Sequence, residues 1–206
     1  MINLDRAVTF FRQILSMHGN PQQFIGTAWI ATLVVWLIGA FATKPTARRQ
    51  PARSRLLDMA EAWIAALLLF RSRLRFGLLA WRFAPNTPLI AWTGVGLTIA
   101  GLAFTITARL FLGGNWSGIV TIKQGHTLVC RGPYALVRHP IYSGILLAIM
   151  GTALAIGEIR ALIGASLVFL ILAHKISLEE RFMMGQFGAS YAQYRRDVKA
   201  LIPFVW

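Results

Sequence analysis

The sequence predicts an all-α integral membrane protein with about five transmembrane helices, the last two forming a helical hairpin. Of its 206 residues 56% are hydrophobic and only 14% are charged, whereas soluble domains are about a quarter charged. Several apolar runs approach the roughly 20 residues that an α-helix needs to cross a bilayer. Basic residues cluster in short segments beside these runs, as they do in cytoplasmic loops.

Charge and cysteine content narrow the classes of partner and site. The net charge of +14 comes from 21 bases and only seven acids. Bases beside apolar spans favour contact with anionic lipid headgroups. We expect no nucleic-acid partner, because no basic face interleaved with aromatic residues lies outside the spans. The single cysteine, Cys130, excludes an internal disulfide and a cysteine-based zinc site, and no metal site is predicted.

The first half of the chain alternates apolar and basic segments. Residues 4–17 have the spacing of a short amphipathic helix lying at the interface. Residues 24–42 form the first uncharged span. Residues 43–55 carry five bases and no acid, which predicts an irregular cytoplasmic loop. A second span is expected within 56–82, although the arginines at its end conflict with a simple inside–outside alternation.

The third predicted span covers residues 89–112 and contains Gly94, Gly96 and Gly101. No strand precedes these glycines, so close helix packing is a better interpretation than a nucleotide-binding loop. Residues 118–139 then form a polar connection, in which 120–122 and 127–129 have the pattern of two short paired strands.

Residues 141–156 and 161–173 form the predicted hairpin, because the reversal at 157–160 is too short for any other connection. The hairpin returns residues 174–181 to the membrane face that holds 131–140. Further on, apolar and aromatic residues recur at helical spacing and predict one amphipathic helix ending at Pro203: Phe187, Tyr191, Tyr194 and Val198. Residues 1–206 are expected to form a single membrane domain, with N-terminal spans and basic loops in 1–88 and the functional core in 89–206.

The polar stretch 131–144 stands directly before the apolar run of the hairpin. Pro140 suits the first position of a helix, and a helix N-terminus attracts anions. Basic and phenolic side chains are expected to converge there on an anion site: Arg131, Tyr134, Arg138, His139 and Tyr142. The alternative is an ordinary basic loop at the membrane edge.

The hairpin brings Glu179 and Glu180 beside this stretch. A carboxylate accepts two hydrogen bonds from a ribose diol, while the basic side chains hold a carboxylate or a phosphate. Such a layout fits a nucleoside cofactor with an anionic group, either S-adenosylmethionine or NADPH, and does not separate the two. A solvated glutamate pair without function is the simpler alternative.

These residues carry a resemblance to a known family. In residues 109–206 the chain resembles the isoprenylcysteine carboxyl methyltransferase family, and Leu112–Ser117 and His126–Val129 are similar to its bacterial members. The matching motifs are Gly132-Pro133-Tyr134-x-x-x-Arg138-His139-Pro140-x-Tyr142-x-Gly144, Glu179-Glu180, Phe187-Gly188-x-x-Tyr191-x-x-Tyr194 and the segment from Val198 to Pro203.

The resemblance implies a membrane-embedded methyltransferase that uses S-adenosylmethionine. It implies a lipophilic small-molecule or lipid-modified substrate, such as the carboxyl of an isoprenylcysteine-like molecule. Arg138 and Glu180 would be catalytic, while Tyr191 and Tyr194 would line or close the pocket. The implied cofactor-binding residues are Tyr134, Val137, Arg138, His139, Tyr142, Glu179 and Glu180.

Three alternatives stay open from the sequence: a phospholipid N-methyltransferase, an NADPH-dependent reductase of the sterol-reductase type, and a non-enzymatic protein that binds anionic lipid through its basic loops. We expect an integral protein of a bacterial inner membrane, with the cofactor pocket facing the cytoplasm. The substrate, its nucleophilic atom and the oligomeric state do not follow from the sequence.

Overall fold

The computed structural model describes residues 19–40, 46–49, 52–71, 76–116, 121–123 and 127–203. Over these residues the fold is all-α apart from one small antiparallel sheet of two strands. In chain order the elements are α1 (Pro21–Ala40), β1 (Thr46–Arg49), α2 (Ala52–Phe70), a 3-10 helix (Gly77–Ala80), α3 (Pro88–Leu112), a 3-10 helix (Gly113–Asn115), β2 (Thr121–Lys123), α4 (Pro133–Leu136), α5 (Pro140–Ile156), α6 (Ile159–Phe187) and α7 (Ala189–Asp197).

Within the described ranges, three helical segments are long and apolar enough to cross a membrane: Pro21–Gly39, Pro88–Asn115 and Ile159–Phe187. The apolar helix α5 has 17 residues and is shorter than a usual span. The predicted fold class, an all-α integral membrane protein, is therefore confirmed. The number of about five spans stays a prediction, and the expected helix at 4–17 lies outside the described residues.

Helices α3 and α5 pack along a seam of glycines. A Cβ atom added to Gly94 would lie 2.5 Å from the carbonyl oxygen of Gly151, and one added to Gly101 would lie 2.5 Å from that of Gly144. Such distances leave no room for a side chain. The close packing predicted from the glycines of α3 is confirmed for Gly94 and Gly101, and it is the kind of contact that holds helices together in lipid. It is wrong for Gly96, where an added Cβ would meet nothing within 4 Å.

Hydroxyl groups reinforce the same seam. The Thr98 hydroxyl lies 3.2 Å from both the Ala148 carbonyl oxygen and the Thr152 hydroxyl. Trp29 of α1 donates from Nε1 to the Thr152 hydroxyl over 3.1 Å. Hydrogen bonds of this kind between membrane helices are worth about 0.6 kcal/mol each on average. They also attach α1 to the α3–α5 pair.

The predicted hairpin joins α5 to α6 through Gly157 and Glu158. Gly157 has a φ of 69°, a left-handed conformation that glycine adopts without a steric cost. At the start of α6, Arg160 donates from Nε to Glu158 over 2.7 Å and from Nη1 to the Leu68 carbonyl of α2 over 2.6 Å. The turn is thereby tied to α2 at the membrane face opposite to the glutamate pair.

Two expectations for the second half of the chain are wrong. Helix α6 does not end near residue 173 but continues to Phe187. The single amphipathic helix predicted to run to Pro203 is broken at Gly188, whose φ is 50°, and its second part, α7, ends at Asp197. The regular spacing of aromatic residues predicted one continuous helix. Such spacing does not indicate that the backbone changes direction at a single glycine.

The strand pairing also differs from the prediction. Residues 127–129 form no strand. Instead Thr121–Lys123 pairs with Thr46–Arg49, inside the segment that was expected to be irregular. The partner strand lies far away in sequence, so local pattern could not identify it.

Candidate active site

A cavity of about 300 Å³ lies where α5, α6 and α7 meet. One part of its wall is polar and contains side chains of the predicted pocket. The other part is apolar and includes side chains from α1 and α3. The lining residues are Trp36, Leu112, Asn115, Trp116, Leu128, Val129, Tyr134, Arg138, His139, Ile141, Tyr142, Ile145, Leu172, Lys175, Glu179, Phe182, Met183, Tyr191 and Tyr194.

His139 lies between the two glutamates of α6. Its Nδ1 is 3.4 Å from Glu179 Oε2 and its Nε2 is 3.4 Å from Glu180 Oε1. Both partners are acceptors when ionised, so both ring nitrogens are in a position to donate, as an imidazolium does. Burial alone would lower the pKa of His139, but the hydrogen bonds and charges of Glu179 and Glu180 outweigh it and raise that pKa.

The adjacent glutamates have different surroundings. Glu179 lines the cavity and accepts a hydrogen bond from the Tyr142 hydroxyl. Glu180 is not among the lining residues and is bonded to Arg138, whose Nε donates to it over 2.9 Å. Successive helical side chains point about 100° apart. The two carboxylates therefore have different partners, a difference that the sequence did not reveal.

Arg138 has its side chain 8% exposed and is held on several sides. Its Nε and Nη2 donate to Glu180, and its Nη1 donates to the carbonyls of Arg195 and Val198. Although Arg138 borders the cavity, its donors are directed to the protein itself. Through these bonds Arg138 links α6 to the end of α7 and to the residue that follows it.

The C-terminal segment, residues 198–201 after α7, pairs with the backbone just before α5. The backbone N–H of Arg138 donates to the Lys199 carbonyl over 2.8 Å. The backbone N–H of His139 donates to the Ala200 carbonyl over 3.0 Å. The Ser143 hydroxyl donates to the Leu201 carbonyl over 2.6 Å. These bonds hold residues 198–201 against the polar wall.

Three tyrosines, Tyr134, Tyr191 and Tyr194, also line the cavity. Tyr194 donates to the Tyr134 carbonyl over 2.6 Å, and its ring meets that of Tyr191 edge-on, with 6.0 Å between centroids. Burial raises the pKa of all three, Tyr134, Tyr191 and Tyr194. They therefore stay protonated at neutral pH and present neutral hydroxyl groups.

The structure brings together most of the residues predicted for the site, but not all. Tyr134, Arg138, His139, Tyr142 and Glu179 line the cavity, as do Tyr191 and Tyr194, and Glu180 lies directly behind them. Val137 is 1% exposed and is not part of the lining. The expected convergence of Arg131 with Arg138 and His139 is wrong, since Arg131 is exposed and does not border the cavity.

Several lining residues were not predicted from the sequence. Trp36 lies in the middle of an apolar run where no local pattern distinguishes it. Lys175 stands one helical turn before Glu179, and that spacing was a usable signal. Asn115 and Trp116 belong to the segment Leu112–Ser117, which resembles bacterial members of the family but was not assigned to the site. Among the described residues, no group of three or more His, Cys, Asp or Glu side chains has the arrangement of a metal site.

Comparison with known proteins finds a family similarity over part of the chain. Residues 94–185 match the isoprenylcysteine carboxyl methyltransferase (ICMT) family. The match covers a little less than half of the chain. The matched ICMT region contains the glycine seam, His139 and both glutamates, and the resemblance stated from the sequence is confirmed.

Individual relatives agree with the ICMT relationship. The chain is 32% identical over 116 residues to protein-S-isoprenylcysteine O-methyltransferase of Schizosaccharomyces pombe, covering 55% of this chain and 49% of that protein. It is 32% identical over 115 residues to protein-S-isoprenylcysteine O-methyltransferase B of Arabidopsis thaliana, covering 54% and 58%. The chain thus spans about half the length of the curated relatives it matches.

A solved structure has the same arrangement of helices. The eukaryotic intramembrane Ras methyltransferase ICMT superposes with a TM-score of 0.53 at 25% sequence identity, covering 76% of this chain and 54% of that chain. The superposition extends beyond the residues matched by the family pattern, and it agrees with an integral membrane location.

Proposed function

We propose that this protein is a membrane-embedded, S-adenosylmethionine-dependent methyltransferase acting on a lipophilic acceptor, with its cavity facing the cytoplasm of a bacterial inner membrane. One observation carries the proposal: a single cavity is lined both by Glu179, His139 and Tyr142 and by apolar side chains of α1, α3, α5 and α6. The names of the relatives support a carboxyl group on an S-isoprenylcysteine-like acceptor.

The donor set fits the cofactor. Glu179 presents a carboxylate for ribose hydroxyls or an ammonium group, and the phenols supply neutral donors. A volume of about 300 Å³ lies at the lower end of the range for small-molecule sites, roughly 300–1,000 Å³. When bound, S-adenosylmethionine supplies a methyl group activated by its sulfonium.

The side chains of this site position groups rather than move protons. Both ring nitrogens of His139 face carboxylates, and Glu179 and Glu180 raise its pKa, which favours the imidazolium over a free base. A carboxylate acceptor needs none, because it is already ionised and gains from alignment and from exclusion of water. The buried phenols Tyr134, Tyr191 and Tyr194 belong to the cavity lining. We infer that Glu179 contacts the cofactor directly. Arg138 lies in the wall with its donors directed to the protein, and Glu180 and Val137 support the wall from behind.

Calorimetry of the detergent-solubilised protein with S-adenosylhomocysteine tests the cofactor. We expect binding, with affinity lowered about tenfold or more by Glu179→Gln, the scale of one lost hydrogen bond to a charged group. Asp197→Asn is the matched control, since this exposed acid lies outside the cavity. Binding of NADPH but not of S-adenosylhomocysteine would overturn the proposal in favour of a reductase.

The acceptor is tested separately with purified protein and labelled cofactor. Methyl transfer to S-prenylated N-acetylcysteine, but not to its methyl ester or to phosphatidylethanolamine, supports a carboxyl acceptor. Transfer to the phospholipid amine alone would contradict it and identify an N-methyltransferase, for which Glu179 could accept the proton.

A further inference from the structure

Arg109 is a buried arginine that the proposed chemistry does not use. It lies in the last turn of α3 and is 6% exposed. Its Nη2 donates to the Gly39 carbonyl over 2.6 Å and its Nη1 donates to the Gly113 carbonyl over 2.9 Å. Carbonyls at the C-terminal end of a helix lack partners within the helix and carry partial negative charge. Arg109 therefore joins the C-terminal ends of α1 and α3.

The same guanidinium supports an aromatic wall. Its Cζ lies 4.3 Å from the ring centroid of Trp116, a cation–π distance. The Trp116 ring meets that of Trp36 nearly at right angles, at 86° and 5.9 Å. Both indoles line the apolar side of the cavity, whereas Arg109 itself does not. Arg109 is thus one layer behind the surface that an apolar ligand would touch.

Arg109 is also incompletely satisfied. Its Nε is buried without a hydrogen-bond partner among the residues that the structure describes, and no carboxylate in that part of the chain forms an ion pair with it. Such burial costs free energy. Joining two helix ends would need only the two carbonyl bonds, so the face-on contact with Trp116 is the feature that requires another explanation.

We propose that Arg109 is a positioning residue for acceptor specificity, which fixes Trp116 and, through it, Trp36 as a rigid wall for the apolar chain of the acceptor. This inference rests on the proposed function. Trp36 belongs to α1 and Trp116 follows α3, and Arg109 bonds to both helix ends. The contacts of Arg109 therefore contribute to the placement of the two indoles in the cavity lining.

Arg109→Lys is the main test, because lysine keeps the charge but lacks the planar fork that reaches two carbonyls and covers a ring. Kinetics are measured with farnesyl and geranyl thioethers of N-acetylcysteine. We expect KM for the farnesyl acceptor to rise about tenfold, the scale of a methylene-sized change in an apolar pocket. The preference for farnesyl over geranyl should shrink, while kcat and the affinity for S-adenosylhomocysteine stay within about twofold.

Matched variants distinguish a role of Arg109 in positioning the acceptor from a general loss of folding. Arg71→Lys is the control, since Arg71 is exposed at the opposite end of the helices. Trp36→Phe leaves the contacts of Arg109 intact and should also weaken the farnesyl preference. A merely structural role of Arg109 predicts instead a lower Tm with parallel losses of acceptor and S-adenosylhomocysteine affinity, and that result, or an unchanged KM, overturns the proposal.

Direct binding distinguishes this proposal from the proposed function. Quenching of tryptophan fluorescence by farnesyl thioether reports on the indole wall without any methyl transfer. If the unaltered protein fails to bind S-adenosylhomocysteine, the proposed function fails. Weaker quenching in Arg109→Lys than in Arg71→Lys would still support the role of Arg109, and equal quenching would contradict it.

Discussion

Arg138 and Glu180 form a hydrogen-bonded ion pair across 42 positions of sequence, with 2.9 Å between Nε and Oε1. Their side chains are only 8% and 12% exposed. Arg138 borders the cavity and Glu180 lies behind it, and the same guanidinium reaches the carbonyls of Arg195 and Val198. This pair is therefore the structural joint between α6, the entrance to α5 and the C-terminal segment.

Glu180→Gln should destabilise the fold more than it weakens cofactor binding. The substitution leaves the charge of Arg138 buried without a counter-charge, and breaking a buried pair in this way costs about 3–5 kcal/mol. Thermal unfolding in detergent should show a clearly lower Tm, whereas Glu179→Gln should lower Tm little. Equal effects of the two substitutions on Tm would contradict the different roles assigned to these glutamates.

The stability of the site should decline as pH rises. The pKa of His139 is raised in the folded protein above its unfolded value of about 6.5. Protonated His139 therefore contributes its full stabilisation below about pH 6.5, and that contribution is lost as pH rises through the higher folded pKa. The Tm of the unaltered protein, compared with that of His139→Gln, should show a gap that narrows with increasing pH. A gap that widens would refute this assignment.

Gly94→Ala and Gly96→Ala form a matched pair within α3. A Cβ introduced at Gly94 would approach the Gly151 carbonyl oxygen at 2.5 Å, whereas a Cβ introduced at Gly96 meets nothing within 4 Å. Overpacking of this kind costs about 1–3 kcal/mol. We expect a lower Tm for the first variant and an unchanged or slightly higher one for the second, because alanine favours helix over glycine.

Tyr194→Phe should loosen the part of the cavity wall that Tyr194 and Tyr134 form together. The substitution keeps the ring but removes the hydrogen bond to the Tyr134 carbonyl, which spans 2.6 Å and contributes about 1 kcal/mol. Stopped-flow measurement should show faster dissociation of S-adenosylhomocysteine with little change in the rate of association. Slower dissociation would show that the tyrosine hydroxyl holds the site open rather than closed.

Sequence pattern was sufficient for the parts of this protein that depend on local chemistry. Apolar runs predicted α1, α3 and α5 to within a few residues, and the short reversal at Gly157 predicted the hairpin. Since an antiparallel hairpin fixes which ends lie together, the sequence also predicted that Glu179 and Glu180 would meet the stretch that contains His139. The glycines of α3 predicted close packing because they are the residues that permit it.

The tertiary structure decided what depends on distant partners. Glu179 and Glu180 are equivalent by composition, and only the packing of α6 turns Glu179 to the cavity and Glu180 to Arg138. Arg109 and Trp36 carry no distinctive local pattern, and the role of each follows from a contact some 70 positions away, such as that of Arg109 with Gly39. Local sequence determines which helices form, because hydrophobicity and backbone preference are local. The side-chain contacts that define a site depend on how those helices pack.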